Sequence, residues 1–243
     1  MANKTRRRLT KTELKKDPIA ENLMKGMDFL QSHLKELIGL GIIIVVGIIV
    51  VQMVVGSSRK AENEAMAGYI TADILFAQAE QYSAANQPET SVQALQACYT
   101  LATEVYSQNS NRSWGRRAAI LSAKAGIILG LDEQVITTLQ DLLSTGPDPE
   151  IANGARIHLA IALENRGGIE DLRNAALHLQ EVVDQAPAES MIAAEAMAGL
   201  ARIAYRREEY EEAADWLARS LAITGDTTDF ASYQLARLEF GHY

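Results

Sequence analysis

The side chains best suited to chemistry in this 243-residue chain are a single cysteine and four histidines. Cys98 lies in the apolar run LQACY, with no nearby histidine or cation to activate it, which predicts a small buried hydrophobic residue and not a nucleophile. No two histidines are three or four positions apart, so none of them can pair on one helix face as metal ligands do. The histidines are His33, His158, His178 and His242.

Familiar phosphate-binding and nucleophile motifs are also missing, since the sequence has no Walker loop, no G-x-G-x-x-G and no nucleophile elbow. The acidic run EEYEE at 208–212 is typical of a solvated helix start, where carboxylates interact favourably with the helix dipole. We therefore predict no catalytic residue, no cofactor and no metal site, and we expect a protein that binds partners and is not an enzyme.

Charge is divided sharply along the chain. Residues 1–36 carry nine Lys/Arg and five Asp/Glu, residues 37–58 carry no charge, and residues 59–243 carry 14 Lys/Arg and 26 Asp/Glu. The overall content of 22% charged and 48% apolar residues fits a folded chain and not a disordered one. This division argues against a uniform soluble enzyme and predicts a membrane protein with two different aqueous sides.

The uncharged segment 37–58 predicts one transmembrane helix. Its apolar part is LIGLGIIIVVGIIVVQMVV, and 22 residues in a helix span about 33 Å, enough for a hydrocarbon core of about 30 Å. A cleaved signal peptide is the alternative, but its apolar core is normally about 7–15 residues long and its leader is short. We predict an uncleaved signal anchor that contacts membrane lipid through this single span.

Basic residues predict which side of the membrane each end of the chain occupies. Nine Lys/Arg precede the span, whereas only Arg59 and Lys60 follow it closely. By the positive-inside rule the N-terminus is cytoplasmic and 59–243 is extracytoplasmic, which in a Gram-negative bacterium means an inner-membrane anchor and a periplasmic domain. We attribute the three arginines at 6–8 to topology and anionic lipid, and we predict no nucleic-acid partner.

The basic cytoplasmic segment 1–36 contains one predicted amphipathic helix. Asp17 and Pro18 suit an N-cap and a first helical position, and apolar residues then recur at alternating spacings of three and four up to Leu37. Two interpretations stay open: an interfacial helix on the cytoplasmic leaflet, or a short coil over 17–37 that forms a homodimer or binds a partner.

The region 59–243 is predicted to consist of consecutive α-helices joined by short turns. It shows no convincing strand alternation, alanine is abundant, and Gly, Pro, Asn and Asp cluster at intervals between apolar-periodic stretches. The predicted helices cover 59–85, 89–108, 113–129, 132–145, 149–166, 169–185, 188–206, 208–223 and 227–240.

Three of these helix pairs repeat one pattern of small and apolar residues. In AMAGLARIAYRREEYEEAADWLARSLAITGD, Ala201 lies at a predicted helix crossing, and Ala123 and Ala160 occupy the equivalent positions of the other copies, 37 and 41 residues apart. The pitch and pattern resemble the tetratricopeptide repeat, which implies an all-α fold, an α-solenoid of helical hairpins with 59–108 and 227–240 as caps. An unrelated helical bundle is the alternative.

The whole layout resembles the YfgM-like family of bacterial inner-membrane proteins, the ancillary subunits of the SecYEG translocon. The resemblance is carried by the N-terminal segment, the single anchor, the stretch RKAENEAMAGYITADILFAQA and the degenerate repeats, and it covers most of 25–240. It implies a scaffold beside the Sec translocon that links emerging proteins to periplasmic chaperones. A scaffold subunit of another envelope machine, for cell division, outer-membrane assembly or cytochrome maturation, is the alternative.

A partner-binding surface is predicted on the first helices of the hairpins, because first helices line the concave face of tetratricopeptide arrays. The groove is apolar with basic and aromatic points, in a region of net charge −12, and suits an extended peptide with apolar anchors and an acidic end or side chain. Alternatively, Ile120, Ile157 and Ile161 belong to the core between repeats, where Trp114 and Trp216 are also expected. The predicted surface residues are Ile120, Lys124, Ile127, Ile157, Ile161, Arg202, Tyr205 and Arg206.

Overall fold

All regular secondary structure in the described part of the chain is helical. The computed structural model describes the backbone of residues 34–225 and the side chains of residues 59–225. Eight helices separated by short turns fill this part, which confirms the predicted all-α class and, within a few residues, seven predicted helices. The helices are α1 (Leu34–Ala84), α2 (Pro88–Asn109), α3 (Ser113–Ile128), α4 (Asp132–Ser144), α5 (Pro149–Arg166), α6 (Ile169–Gln185), α7 (Met191–Arg206) and α8 (Tyr210–Thr224).

Helix α1 includes the predicted anchor as well as the first predicted helix of the repeat region. The chain divides into two compact units, Met1–Arg59 and Lys60–Tyr243, and α1 crosses the division. Among the described residues, no helix is both long enough and apolar enough to cross a membrane. The predicted span at 37–58 lies outside the residues whose side chains are described, and residues 17–33 and 227–240 lie outside the described part altogether.

Consecutive helices pair into hairpins, and the hairpins stack in chain order. Helices α3, α5 and α7, the first helices of their hairpins, contact one another in sequence. The second helix of each hairpin contacts the first helix of the next, in the pairs α2–α3, α4–α5 and α6–α7. The second unit, where it is described, is therefore an array of stacked helical hairpins of the kind that the repeat pattern predicts.

The hairpin of α1 and α2, predicted only to cap the array, packs closely on itself and on the next hairpin. Ser91 Oγ of α2 donates a hydrogen bond to the carbonyl oxygen of Ala79 on α1, at 2.8 Å. Val105 lies so close to Gly68 that a Cβ there would be 2.5 Å from its methyl group. The small residue is what lets the two helices approach this closely.

Small residues also occupy the crossings in the three repeat copies. Ala123, Ala160 and Ala201 are 1, 1 and 5% exposed, which confirms that these equivalent positions are buried. Gly199 on α7 plays the same part between hairpins, because Leu179 of α6 lies directly against it. Regularly placed small residues therefore set the close packing of this array.

Two helix starts differ from the predicted ones: a side-chain cap explains the first, and a left-handed backbone conformation explains the second. Helix α7 begins at Met191 and not at residue 188, because the Ser190 hydroxyl accepts a hydrogen bond from the Ala193 N–H at 3.3 Å. Helix α8 begins at Tyr210 and not at residue 208, because Glu208 has a φ of +65°, in the left-handed region that a helix cannot contain.

The helices of the third hairpin, α5 and α6, are longer than the corresponding helices of the hairpins on either side. Helix α5 has 18 residues against 16 in α3 and in α7, and α6 has 17 against 13 in α4 and 15 in α8. Gly167, with a φ of +76°, ends α5. Arg166 then joins the turn to the preceding hairpin by pairing with Asp171 and with Glu133.

The buried apolar residues form two clusters that meet at α3. One cluster joins α1 and α2 to Ala118, Leu121 and Ala125. The other extends from Tyr106 of α2 and from Ala119 and Ala123 of α3 through α4, α5, α6 and α7. Helix α3 therefore contributes one of its sides to each cluster.

Candidate functional site

The first helices of the hairpins, α1, α3, α5 and α7, form a surface that we call the first-helix face. At its α1 end, the rings of Tyr69 and Trp114 lie 5.2 Å apart, which confirms that this tryptophan packs between hairpins. The guanidinium of Arg117 lies 5.8 Å from the tryptophan ring centre and pairs with Glu150 of α5 at 3.1 Å. Burial, and then the nearby Asp73 carboxylate, raise the pKa of Tyr69.

The middle of the first-helix face combines apolar and basic side chains. Ile120 of α3 lies against Gly154 of α5, and Ile161 is half-buried one turn after His158. Burial, and then the positive charge of the exposed Lys124, lower the pKa of His158 to about 4. This histidine is therefore neutral near pH 7.

At the α7 end, two arginines share one glutamate. The Glu164 side chain of α5 is 12% exposed and accepts a hydrogen bond from Arg202 Nη2 at 3.2 Å. Arg206 Nη1 lies 3.7 Å from the same carboxylate and donates to the Glu164 backbone carbonyl at 2.6 Å. The ring of Tyr205, which is 48% exposed, meets the ring of Tyr210 edge-on at 5.6 Å. Two guanidiniums and one carboxylate give this corner a net charge of +1.

The predicted surface residues fall into two groups. Lys124, together with Arg202, Tyr205 and Arg206 of α7, is exposed. The four isoleucines pack toward the core: Ile157 is 3% exposed, and Ile120, Ile127 and Ile161 are half-buried against it. Ile157 therefore occupies the inter-repeat core position that the sequence left open as its alternative, and partner binding by the other seven residues stays a prediction.

Several residues of the first-helix face were missed by reasoning from the sequence. Glu164 is the most important, because it determines where both arginine side chains lie. Its distance of 38 residues from Arg202 is close to the repeat pitch of 37–41, and Arg117 and Glu150 are 33 residues apart. Opposite charges spaced by about one repeat are the sequence signal that could have revealed these contacts.

Other chemically capable groups lie away from this face. Burial, and then Asp73, raise the pKa of the fully buried Cys98 thiol to about 11, which agrees with its predicted hydrophobic role. Burial also lowers the pKa of His178, which lies near an ion pair of 2.6 Å between Arg156 and Glu181. Within the described residues, no group of three His, Cys, Asp or Glu side chains could hold a metal ion.

Trp216 is a residue of α8, the last described helix. It is partly buried against the larger core cluster, and its indole N–H donates to Glu212 at 3.2 Å. The guanidinium of Arg219 lies over the ring, 4.2 Å from its centre, in a cation–π contact.

This chain shows little similarity to known proteins. No protein-family model matches this chain, and no curated protein matches it. Among solved structures, the chain is similar to "MamA RS-1 ArsTM double mutant", with 14% sequence identity and a TM-score of 0.42 over 65% of this chain and 97% of that chain. The assignment of this chain as an all-α array of helical hairpins accordingly rests on its own helices and their contacts.

Proposed function

We propose that this protein is a helical-repeat scaffold that binds an extended segment of a protein partner along the first-helix face. The observation that carries the proposal is the side-by-side contact of α3, α5 and α7. It brings Lys124, Ile161 and Tyr205 onto neighbouring helices of one surface, and stacked helical hairpins typically use such a surface for binding. The protein then acts by binding and not by catalysis.

The corner formed by Arg202, Arg206 and Glu164 suggests the chemistry of the bound segment. The two arginine side chains are 51 and 47% exposed, so each keeps N–H groups available to solvent beside the shared carboxylate. A second carboxylate, from an acidic side chain or a C-terminus, fits these donors, and the exposed ring of Tyr205 supplies an aromatic contact. Because residues 59–243 carry a net charge of −12, this positive corner is a favourable place for an acidic group.

We also propose that residues 37–58 anchor the scaffold in the bacterial inner membrane, with the N-terminus cytoplasmic and the repeats periplasmic. The support is the uncharged 22-residue segment and the excess of basic residues before it. Anchoring raises the effective concentration of the binding face for partners that are also at the membrane.

The finer assignment, a place beside the Sec translocon with periplasmic chaperones as partners, is supported by the sequence resemblance to the YfgM-like family. A subunit of another envelope machine is the second candidate, since the hairpin array and the anchor suit either role. Purification of the full chain in a mild detergent, with identification of the proteins that accompany it, separates the two.

Partner capture by variants of the full chain tests the binding face. The variant Arg202→Gln, Arg206→Gln, Glu164→Gln removes the positive corner without leaving a partly buried carboxylate unpaired, and Tyr205→Ala removes the aromatic contact. Arg173→Gln is the matched control, because this arginine is 73% exposed on α6, away from the face. We expect capture to fall at least tenfold in the first two variants and to stay unchanged in the control. Equal capture by all three would refute the assignment.

The topology is tested with a reporter fused after Tyr243. We expect activity only from a reporter that works outside the cytoplasm. Activity of a reporter that works in the cytoplasm would contradict both the orientation and a periplasmic partner.

A further inference from the structure

The middle of the first-helix face is positively charged, although the repeat region as a whole is acidic. Three segments form it, 120–128 of α3, 157–165 of α5 and 198–206 of α7, and together they contain three basic residues and one acidic residue. The charged residues are Lys124, Glu164, Arg202 and Arg206. The resulting net charge of +2 stands against −12 for the region 59–243, so this part of the face attracts acidic groups.

Lys124 is the positive charge that no acidic group of the domain neutralises. Two lysines have described side chains, and the other one, Lys60, pairs with Glu64 at 3.8 Å. Lys124 is exposed and forms no ion pair with any carboxylate in the part of the chain whose side chains are described. Its ammonium group is therefore available to an acidic group from outside, whereas the arginines of the positive corner already share Glu164.

Contacts between α3 and α5 place Lys124 beside His158. Both helices are the first of their hairpins and run in the same direction, and Ile120 of α3 lies against Gly154 of α5. Lys124 and His158 follow these two residues by one turn, so they lie at the same level. Burial, and then the charge of Lys124, lower the pKa of His158, which agrees with this proximity.

The positive corner lies farther along α5, on its other side. Glu164, which binds Arg202, comes six residues after His158, a rise of about 9 Å along the helix. Helix α5 lies between α3 and α7 and contacts both, with helix axes typically about 8–10 Å apart. Lys124 and the corner are therefore separated by about 20 Å. Ile161, half-buried, lies midway, one turn from His158 and one turn from Glu164.

We propose that the segment bound by this face is an extended peptide with two acidic residues six positions apart, one paired with Lys124 and the other with the positive corner. This inference rests on the function proposed above and specifies its ligand. Six residues of extended chain, at about 3.3 Å each, span the distance between the two sites. Side chains alternate along an extended chain, so residues six apart face the same way, and an apolar residue two or four positions after the first acid meets Ile161.

Three fluorescently labelled synthetic peptides of nine residues test the spacing, with the full chain in a mild detergent. SDSLSLSDS carries the proposed spacing and reads the same in both directions. SDSLDLSSS has the same composition with its acids three apart, and SDSLSLSNS has one acid. Fluorescence anisotropy should show that the first peptide binds about three- to fivefold more tightly than the other two, which is the contribution of one exposed ion pair.

Variants of the chain assign the second acid to Lys124. Lys124→Gln should remove the advantage of SDSLSLSDS and leave the affinity for SDSLSLSNS unchanged. Lys124→Arg should keep the advantage, as should the matched control Arg173→Gln, which removes one positive charge from α6.

The outcomes separate this inference from the function on which it rests. If the variant Arg202→Gln, Arg206→Gln, Glu164→Gln weakens binding but Lys124→Gln affects all three peptides equally, or none of them, the second acidic position is wrong and the proposed function stands. Binding that does not depend on the positive corner, or no binding of any peptide, would overturn both.

Discussion

Of the residues of the first-helix face, Glu164 is the one whose loss of ion-pair partners should lower the stability of the domain most. Its side chain is 12% exposed, and the two arginines that form ion pairs with it, Arg202 and Arg206, belong to the next hairpin. Arg202→Ala combined with Arg206→Ala leaves this carboxylate unpaired, so we expect the free energy of unfolding to fall by about 1–2 kcal/mol.

Adding Glu164→Gln to that double variant should recover most of the loss, because no buried charge then lacks a partner. Urea unfolding of the wild type, the double and the triple variant measures the coupling. If the triple variant is no more stable than the double, the glutamate is not held by these arginines.

His158 should make the domain sensitive to acid. Its pKa is lowered from 6.5 to about 4 in the folded chain, so the unfolded chain binds more protons between these values. Stability should therefore fall as the pH drops from about 6.5 to about 4, by about 1–3 kcal/mol in total.

His158→Gln should flatten that dependence. The difference in melting temperature between pH 7 and pH 4.5 should be smaller in the variant than in wild type. Part of the acid sensitivity should persist, because burial also lowers the pKa of His178. Identical pH profiles for the variant and wild type would show that His158 does not contribute.

At the scale of the helix, alanine substitution at three helical glycines compares two opposing effects. The added Cβ crowds its neighbours to a different extent at each site, while alanine favours the helix at all three. A Cβ at Gly115 would overlap the backbone carbonyl of Asn109, and a Cβ at Gly199 would meet the flexible end of Leu179 at 2.7 Å. At Gly154 the nearest atom, in Ile120, would be 3.2 Å away.

We therefore expect a graded series on substitution by alanine. Gly115→Ala should cost about 2–3 kcal/mol because backbone must move, and Gly199→Ala about 1 kcal/mol or less because a side chain can shift. Gly154→Ala should be neutral or stabilising by up to about 1 kcal/mol, since alanine favours the helix. Thermal unfolding followed by circular dichroism gives the order, and equal losses at all three sites would contradict it.

The helices themselves could be predicted well, for a definite physical reason. A period of 3.6 residues and the turn-forming residues between stretches act locally, so they place a helix such as α5 at its observed bounds. The two starts that differed depend on details that periodicity does not contain, namely the Ser190 cap and the left-handed Glu208.

The candidate site was less predictable, because it depends on contacts between repeats. The repeat register correctly indicated that residues such as Arg202 and Tyr205 are exposed on a first helix. It did not reveal that Glu164 already pairs with the arginines, and it left open whether Ile157 lies on the surface or in the core, where the structure places it. Such pairs join residues about one repeat apart, and their geometry depends on how the hairpins stack.

At the scale of the whole molecule, the division of the buried residues at α3 has a consequence for cooperativity. Opening of the α1–α2 hairpin exposes the cluster around Cys98 and Ala102, whereas it removes only Tyr106 from the buried residues of the cluster around Leu139 and Leu159. The amides of α2 should therefore exchange with solvent through a partial opening, at a lower free energy than the amides of α5. Native-state hydrogen exchange with added denaturant measures this, and a single common opening energy for both helices would contradict it. In such an array the first hairpin can unfold alone, under mechanical load or when a partner binds. The helices that carry the first-helix face from Lys124 to Tyr205 then stay folded.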